Sequence, residues 1–144
     1  MDPEVLCVVF AGEIDQDEVK SSVAKRHPYS LVQTVDAQAA ENGAYVDMIA
    51  AQTLHADGTD SLLARKLEVD FLLRLARTTQ ISTAIEQVGA KKGKPFLLVV
   101  AGAAKQVDDI APEVLGGKKL RRGPLSTDEL DKIESAALLN VEKA

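Results

Sequence analysis

Apolar positions along the chain switch between the two-residue period of strands and the 3.6-residue period of helices, and each switch marks an element. Residues 5–10, Val-Leu-Cys-Val-Val-Phe, are apolar on both alternating faces and predict a buried strand. Gly12 ends it. Asp15 is placed to cap a helix carrying Val19, Val23 and Ala24 on its apolar face, and His27-Pro28 stops that helix. Residues 31–35 predict a second strand closing at Asp36. Residues 37–54 predict an Ala-rich helix weakened near its start by Asn42-Gly43, and residues 56–60 a polar loop with Asp-Gly turn chemistry.

Residues 61–77 contain no Gly or Pro and predict a long helix. At about 100° per residue, Lys66, Asp70, Arg74 and Arg77 fall within about 80° of one another. They predict one narrow charged stripe on a helix otherwise buried. Lys66/Asp70 and Asp70/Arg74 are i,i+4 pairs of about 0.2–0.5 kcal/mol each, which leaves Arg77 without a partner on its helix. Residues 79–88 predict a shorter helix with Ile81, Ala84, Ile85 and Val88 as its buried stripe, and Gly89 as a left-handed terminator. A basic turn, Lys91-Lys92-Gly93-Lys94-Pro95, leads into a third buried strand at residues 96–100.

Residues 103–115 predict a weaker helix interrupted by Pro112, and residues 118–124 a loop. Ser126-Thr127-Asp128-Glu129 reads as a capping box, with Leu125 and Leu130 placed as a hydrophobic staple. The helix that follows, about 127–141, carries Leu130, Ile133, Ala137 and Val141 on one face. The predicted fold is α/β or α+β: a small sheet, mostly antiparallel or mixed, wrapped by several helices as one domain over residues 1–144.

Composition adds to this picture. The chain of 144 residues is 46% hydrophobic and 27% charged, in the range of folded domains. Aromatics are only 3%, so aliphatic side chains must build the core. The single cysteine, Cys7, forms no internal disulfide, and the acidic start lacks the basic opening of a signal peptide. No apolar run approaches the roughly 20 residues of a membrane helix. These features point to a cytoplasmic protein.

The net charge of −5 is unevenly spread. Residues 1–60 hold 3 basic and 11 acidic side chains, residues 61–123 hold 12 and 6, and residues 124–144 hold 2 and 5. A basic centre between acidic flanks can build a local positive field on an acidic protein.

Candidate chemistry is sparse. Gly89-Ala-Lys-Lys-Gly93-Lys94-Pro95 has three residues between its glycines instead of four, puts Pro where a magnesium-ligating Ser or Thr belongs, and precedes its strand. It is no NTPase loop. His55 and Asp57 lack a second cluster of metal ligands, and Cys7 lacks a base. No catalytic residue, metal or cofactor is expected. The cations Arg65, Lys66, Arg74, Arg77, Lys91, Lys92 and Lys94 bracket one helix pair and suit phosphate binding, while Arg also stacks on unpaired bases. Ordinary solvated charge is the plainer alternative. Gln80 opens the shorter helix, as a cap-region residue or a reader of base edges.

The run from Ala64 to Ala90 resembles the central motif of the small kinase-binding subunits of the KEOPS complex, the PRPK-binding protein family. That motif is an acidic residue, an apolar helix, a small-residue/Gly pair, Gln-Ile-x-x-Ala-Ile and a Gly. Asp70, Gln80-Ile81, Ala84-Ile85 and Gly89 match it. Val35-Asp36-Ala37, residues 96–100 and residues 136–139 extend the resemblance over most of the chain. Two departures stand out: Ala76-Arg77 replaces the small-residue/Gly pair, and Tyr45 stands where a His is frequent. The resemblance implies a non-catalytic subunit that binds the complex's small kinase/ATPase. It also implies docking of tRNA, above all its single-stranded CCA end, for threonylcarbamoyladenosine modification. The RNA face expected from motif and charge is Arg65, Lys66, Arg74, Arg77, Gln80, Ile81, Lys91, Lys92 and Lys94; the residues that meet the kinase are not assigned. A small enzyme with an unrecognised site and a purely structural adaptor are the competing readings.

Overall fold

The computed structural model describes residues 4–26, 31–103 and 116–143. Four strands, β1 (Glu4–Phe10), β2 (Leu31–Asp36), β3 (Phe96–Gly102) and β4 (Lys118–Lys119), form one sheet in the order β2-β3-β1-β4. Every neighbouring pair is antiparallel, and Val9 and Val35 both face Leu97 across the ladder. The helices are α1 (Gln16–Arg26), α2 (Gly43–Gly58), α3 (Leu67–Ala76), α4 (Ile81–Val88), α5 (Thr127–Ala137) and α6 (Leu139–Lys143), with a 3₁₀ turn at Ala37–Ala39. The fold is α+β.

Alternation along the strands sends side chains to two apolar layers. On one face Cys7, Leu31, Val35, Leu97, Val99 and Ala101 pack against α2, α3, α4 and α5, around fully buried Ile49, Phe71 and Leu73. On the other, Leu6, Val8, Phe10, Val32, Leu98 and Val100 pack with Val23 and Val19 of α1, and Phe10 stacks on Phe96 at 5.1 Å. Each of the larger buried side chains contributes about 1.5–3 kcal/mol. Strand β2 is a sheet edge, and Gln33 closes it: its Oε1 accepts from Thr34 N–H at 3.0 Å and its Nε2 donates to the Glu68 carbonyl at 3.0 Å.

The three long strands, α1 with its Asp15 cap, and the Ser126 capping box lie where the sequence predicts. Several boundaries differ, each for a visible reason. Asn42-Gly43 starts α2 instead of weakening it: the Asn42 carboxamide accepts from Ala44 N–H at 2.9 Å and Gly123 N–H at 3.0 Å. Helix α2 then runs through the expected Asp-Gly loop to Gly58, and the left-handed residue is Asp60. Helix α3 begins at Leu67, since residues 61–66 give their backbone to tertiary partners. Leu63 N–H donates to Asp70 and the Ser61 carbonyl accepts from Asn140.

Gly89 is not left-handed, with φ −63°; the Ile85 carbonyl lies 2.5 Å from where a Cβ would stand. Lys118–Lys119 pair with β1 inside the expected loop. At the C-terminus Ala136 and Leu139 are buried and Ile133 is partly buried against them, while Leu130, Ala137 and Val141 are exposed. The helix breaks at Leu138, and Asn140 is drawn inward by Arg74 and Ser61. The predicted helix at 103–115 lies, but for Ala103, outside the described residues. Among the described residues no helix is long and apolar enough to cross a membrane.

Candidate nucleic-acid interface

The motif segment folds as a helical hairpin. α3 leaves the β2 edge at Glu68, turns at Arg77, and α4 returns to the same edge, where Gly89 bridges Val35. The turn is a left-handed cap in which Arg77 N–H donates to the Arg74 carbonyl and Thr78 N–H to the Leu73 carbonyl. Arg77 holds φ 58° and ψ 48°, a conformation that Gly adopts freely and that costs a Cβ-bearing residue about 1–2 kcal/mol.

This geometry corrects the single charged stripe. Asp70 is 0% and Arg74 2% exposed, so neither can meet a ligand on the surface. Arg74 Nε donates to Asp70 Oδ1 at 2.7 Å, and Nη2 donates to Asp70 Oδ2 and Asn140 Oδ1, both at 3.1 Å. Thr53 Oγ1 at 2.6 Å and Leu63 N–H at 2.8 Å complete the carboxylate's shell. A buried ion pair persists only when such extra donors fill the remaining lone pairs. Arg74 is thus a tie between α3, α2 and α6 and leaves the RNA face. The expected Lys66/Asp70 pair is not formed, because Lys66 precedes the first turn of α3 in extended conformation.

The remaining candidates are exposed and fall into two groups. At the far end of the hairpin stand Arg77, Gln80 and Ile81. Gln80 occupies the cap position of α4 but makes no side-chain cap bond, leaving its amide free for a ligand. Ile81 and Ile85, half of the stripe expected to be buried, are 49% and 54% exposed; only Ala84 and Val88 enter the core. At the near end, Arg65 and Lys66 precede α3, and Lys91, Lys92 and Lys94 follow α4, flanking the β2 edge. Helix α4 spans about 12 Å between the groups.

Lys91 is partly neutralised, donating to Asp36 Oδ2 at 3.2 Å and to the Gly89 carbonyl at 3.3 Å. The Gln38 N–H first, and then Lys91, hold the Asp36 carboxyl below its ordinary range. Lys92 and Lys94, with Gly93 at φ 79°, border a cleft of about 400 Å³ whose opposite wall carries Glu13, Asp15 and Asp17. Those carboxylates weaken the positive field of the turn.

Elsewhere, burial pushes the Cys7 thiol up to about 12, with Asp47 adding to the shift, so it is no nucleophile. Among the described residues no three His, Cys, Asp or Glu side chains converge as metal ligands. A cavity of about 660 Å³ lies between the 3₁₀ turn and the starts of α2 and α5, with Tyr45 and Arg121 in its lining. The sequence reading singled out neither as a ligand group; Tyr45 was visible only as a departure from a motif, and Arg121 as one cation of a loop. No protein-family model matches the chain, and no curated protein matches it.

Proposed function

We propose that this chain is a non-catalytic, cytoplasmic subunit of a KEOPS-type tRNA-modification assembly. It binds the assembly's small kinase/ATPase and docks tRNA through the single-stranded CCA end. The observation that carries this reading is the division of the motif. Asp70, Ala84 and Val88 are spent on the core, whereas Gln80, Ile81 and Ile85 are exposed at the surface, each isoleucine with about half its area open to solvent. An unbonded amide beside exposed isoleucines and a guanidinium suits a flexible single strand, which is held by cations, apolar contact and stacking. Leu138, Val141 and Met48 of α2 are further exposed apolar side chains, and the residues that meet the kinase are not assigned.

The test is binding of intact tRNA and of the same tRNA lacking its CCA end, each at two salt concentrations. Salt-sensitive binding that disappears on trimming is expected. Equal binding to both would reduce the basic surface to general electrostatics and end the RNA-docking reading.

A further inference from the structure

Helix α4 has two unlike sides. Ala84 and Val88 face the core. At about 100° per residue, Ile81 and Ile85 fall on one side of that stripe, and Gln80, Thr83 and Gln87 on the other. The one charged residue of α4 is Glu86, on the outer face. A strand with its last base at the tip of the hairpin, over Gln80 and Ile81, can leave along either side. On the isoleucine side α4 offers it neither an amide nor a cation. On the other, Gln87 repeats Gln80 within about 20° of the same direction. The rise between the two is about 10 Å, the length of about three stacked nucleotides.

Gln87 also lines a cleft of about 440 Å³ between the end of α4, the 3₁₀ turn and the basic turn. Asp36 is the one carboxylate in its lining, and both oxygens are engaged: Oδ1 accepts from Gln38 N–H at 2.9 Å and Oδ2 from Lys91 Nζ at 3.2 Å. Lys94 lines the cleft too. It adds to the field at Asp36, but its ammonium bonds to nothing among the described residues. Two cations thus face one occupied carboxylate. Glu13, Asp15 and Asp17 line the cleft on the far side of the basic turn and not this one. The carboxamides of Gln38 and Gln87 are exposed and without a partner among the described residues. A primary amide both donates and accepts, which suits base edges and the 2′-hydroxyl, while a lysine ammonium suits a phosphate as a point charge.

We propose that the single-stranded RNA end runs along the Gln80–Gln87 side of α4 into this cleft, where Gln87 and Gln38 hydrogen-bond bases or ribose and Lys94 holds a backbone phosphate. This path rests on the RNA docking proposed above and adds Gln87 and Gln38 to its contacts. It also sorts the cations of the basic turn by role. Lys94 faces the strand, Lys91 is occupied with Asp36, and Lys92 lies outside the lining.

The test measures affinity for intact tRNA, and for the same tRNA lacking its CCA end, in the parent protein and in Gln87→Ala, Lys94→Gln and Ile85→Ala. Gln87→Ala and Lys94→Gln are each expected to weaken binding of intact tRNA about fivefold, the scale of one hydrogen bond, and to leave the trimmed tRNA unaffected. Lys94→Gln should also lower the salt slope by about one. Both melts should match the parent, since the two side chains are exposed and bonded to nothing in the fold. Ile85→Ala should weaken binding less than either; a larger loss there places the strand on the other side of α4 and overturns the path. Trimming-sensitive binding that survives Gln87→Ala and Lys94→Gln unchanged overturns the path and leaves the docking function standing. Equal losses for intact and trimmed tRNA overturn it as well, because the cleft would then hold the body of the tRNA. A parent protein indifferent to trimming removes the docking function and this path with it.

Discussion

Asp70 and Arg77 belong to one motif and meet opposite environments. Around Asp70 every lone pair is filled: Arg74, Thr53 and Leu63 surround it, and the elements they come from are locked together. At Arg77 the chain turns in a left-handed conformation, with an exposed cation, a free amide at Gln80 and an exposed Ile81. An arginine in the last turn of α3 does structural work, while the one that caps the same end is offered to solvent. The lesson is that helical phase says which side chains share a face, while only tertiary packing says whether that face is wet.

The sharpest way to break this contrast is to charge or unpair the buried half. Arg74→Ala leaves Asp70 uncompensated in the core and should cost about 3–5 kcal/mol in urea unfolding. An unchanged midpoint would mean that water reaches the pair. Val88→Asp should unfold the domain by placing a charge on the core side of α4, while Ile85→Asp on the outer side should move the melt by no more than about 0.5 kcal/mol. Equal effects would show that α4 is turned the other way.

A milder effect is expected from acid. Asp36 has its pKa lowered in the fold, so its stabilising contribution is present above the ordinary carboxylate range and is lost as pH falls through the depressed value. Asp36→Asn should flatten the fall in melting temperature below about pH 4. An unaltered acid limb would remove the Gln38 and Lys91 contacts from the account. Arg77→Gly should act in the opposite sense, raising stability by about 0.5–1 kcal/mol as the left-handed strain is released. A lower melt would mean that the guanidinium contributes more to the fold than its backbone costs.

Much of the architecture was legible because it is local. The runs at β1 and β3 are too apolar for any half-exposed element, β2 is marked by its β-branched residues closing at Asp36, and Ser126 with Glu129 specifies a helix start within four residues. The errors share one cause. Residues 61–66 have good helix propensity, but Asp70 needs the Leu63 N–H and Asn140 needs the Ser61 carbonyl, from partners distant in sequence. Arg74 looked like surface charge because nothing in its neighbourhood along the chain announces Asn140 or Thr53. Of the expected C-terminal stripe only Ile133 packs on the core, because the helix breaks at Leu138, where Asn140 reaches Arg74 and Ser61. At the candidate site, the exposed cations and Gln80 were readable from charge and motif, whereas the Tyr45 cavity is made by three segments meeting and has no signature in any one of them.

The claim that the motif divides into a structural half and a binding half is tested most directly by Gln80→Ala combined with Ile81→Ala. One preparation of this double variant would be melted and titrated with intact tRNA. The account predicts a melt indistinguishable from the parent protein together with loss of the binding that depends on the CCA end. A lowered melt with tRNA affinity unchanged would contradict it, because those side chains would then serve the fold.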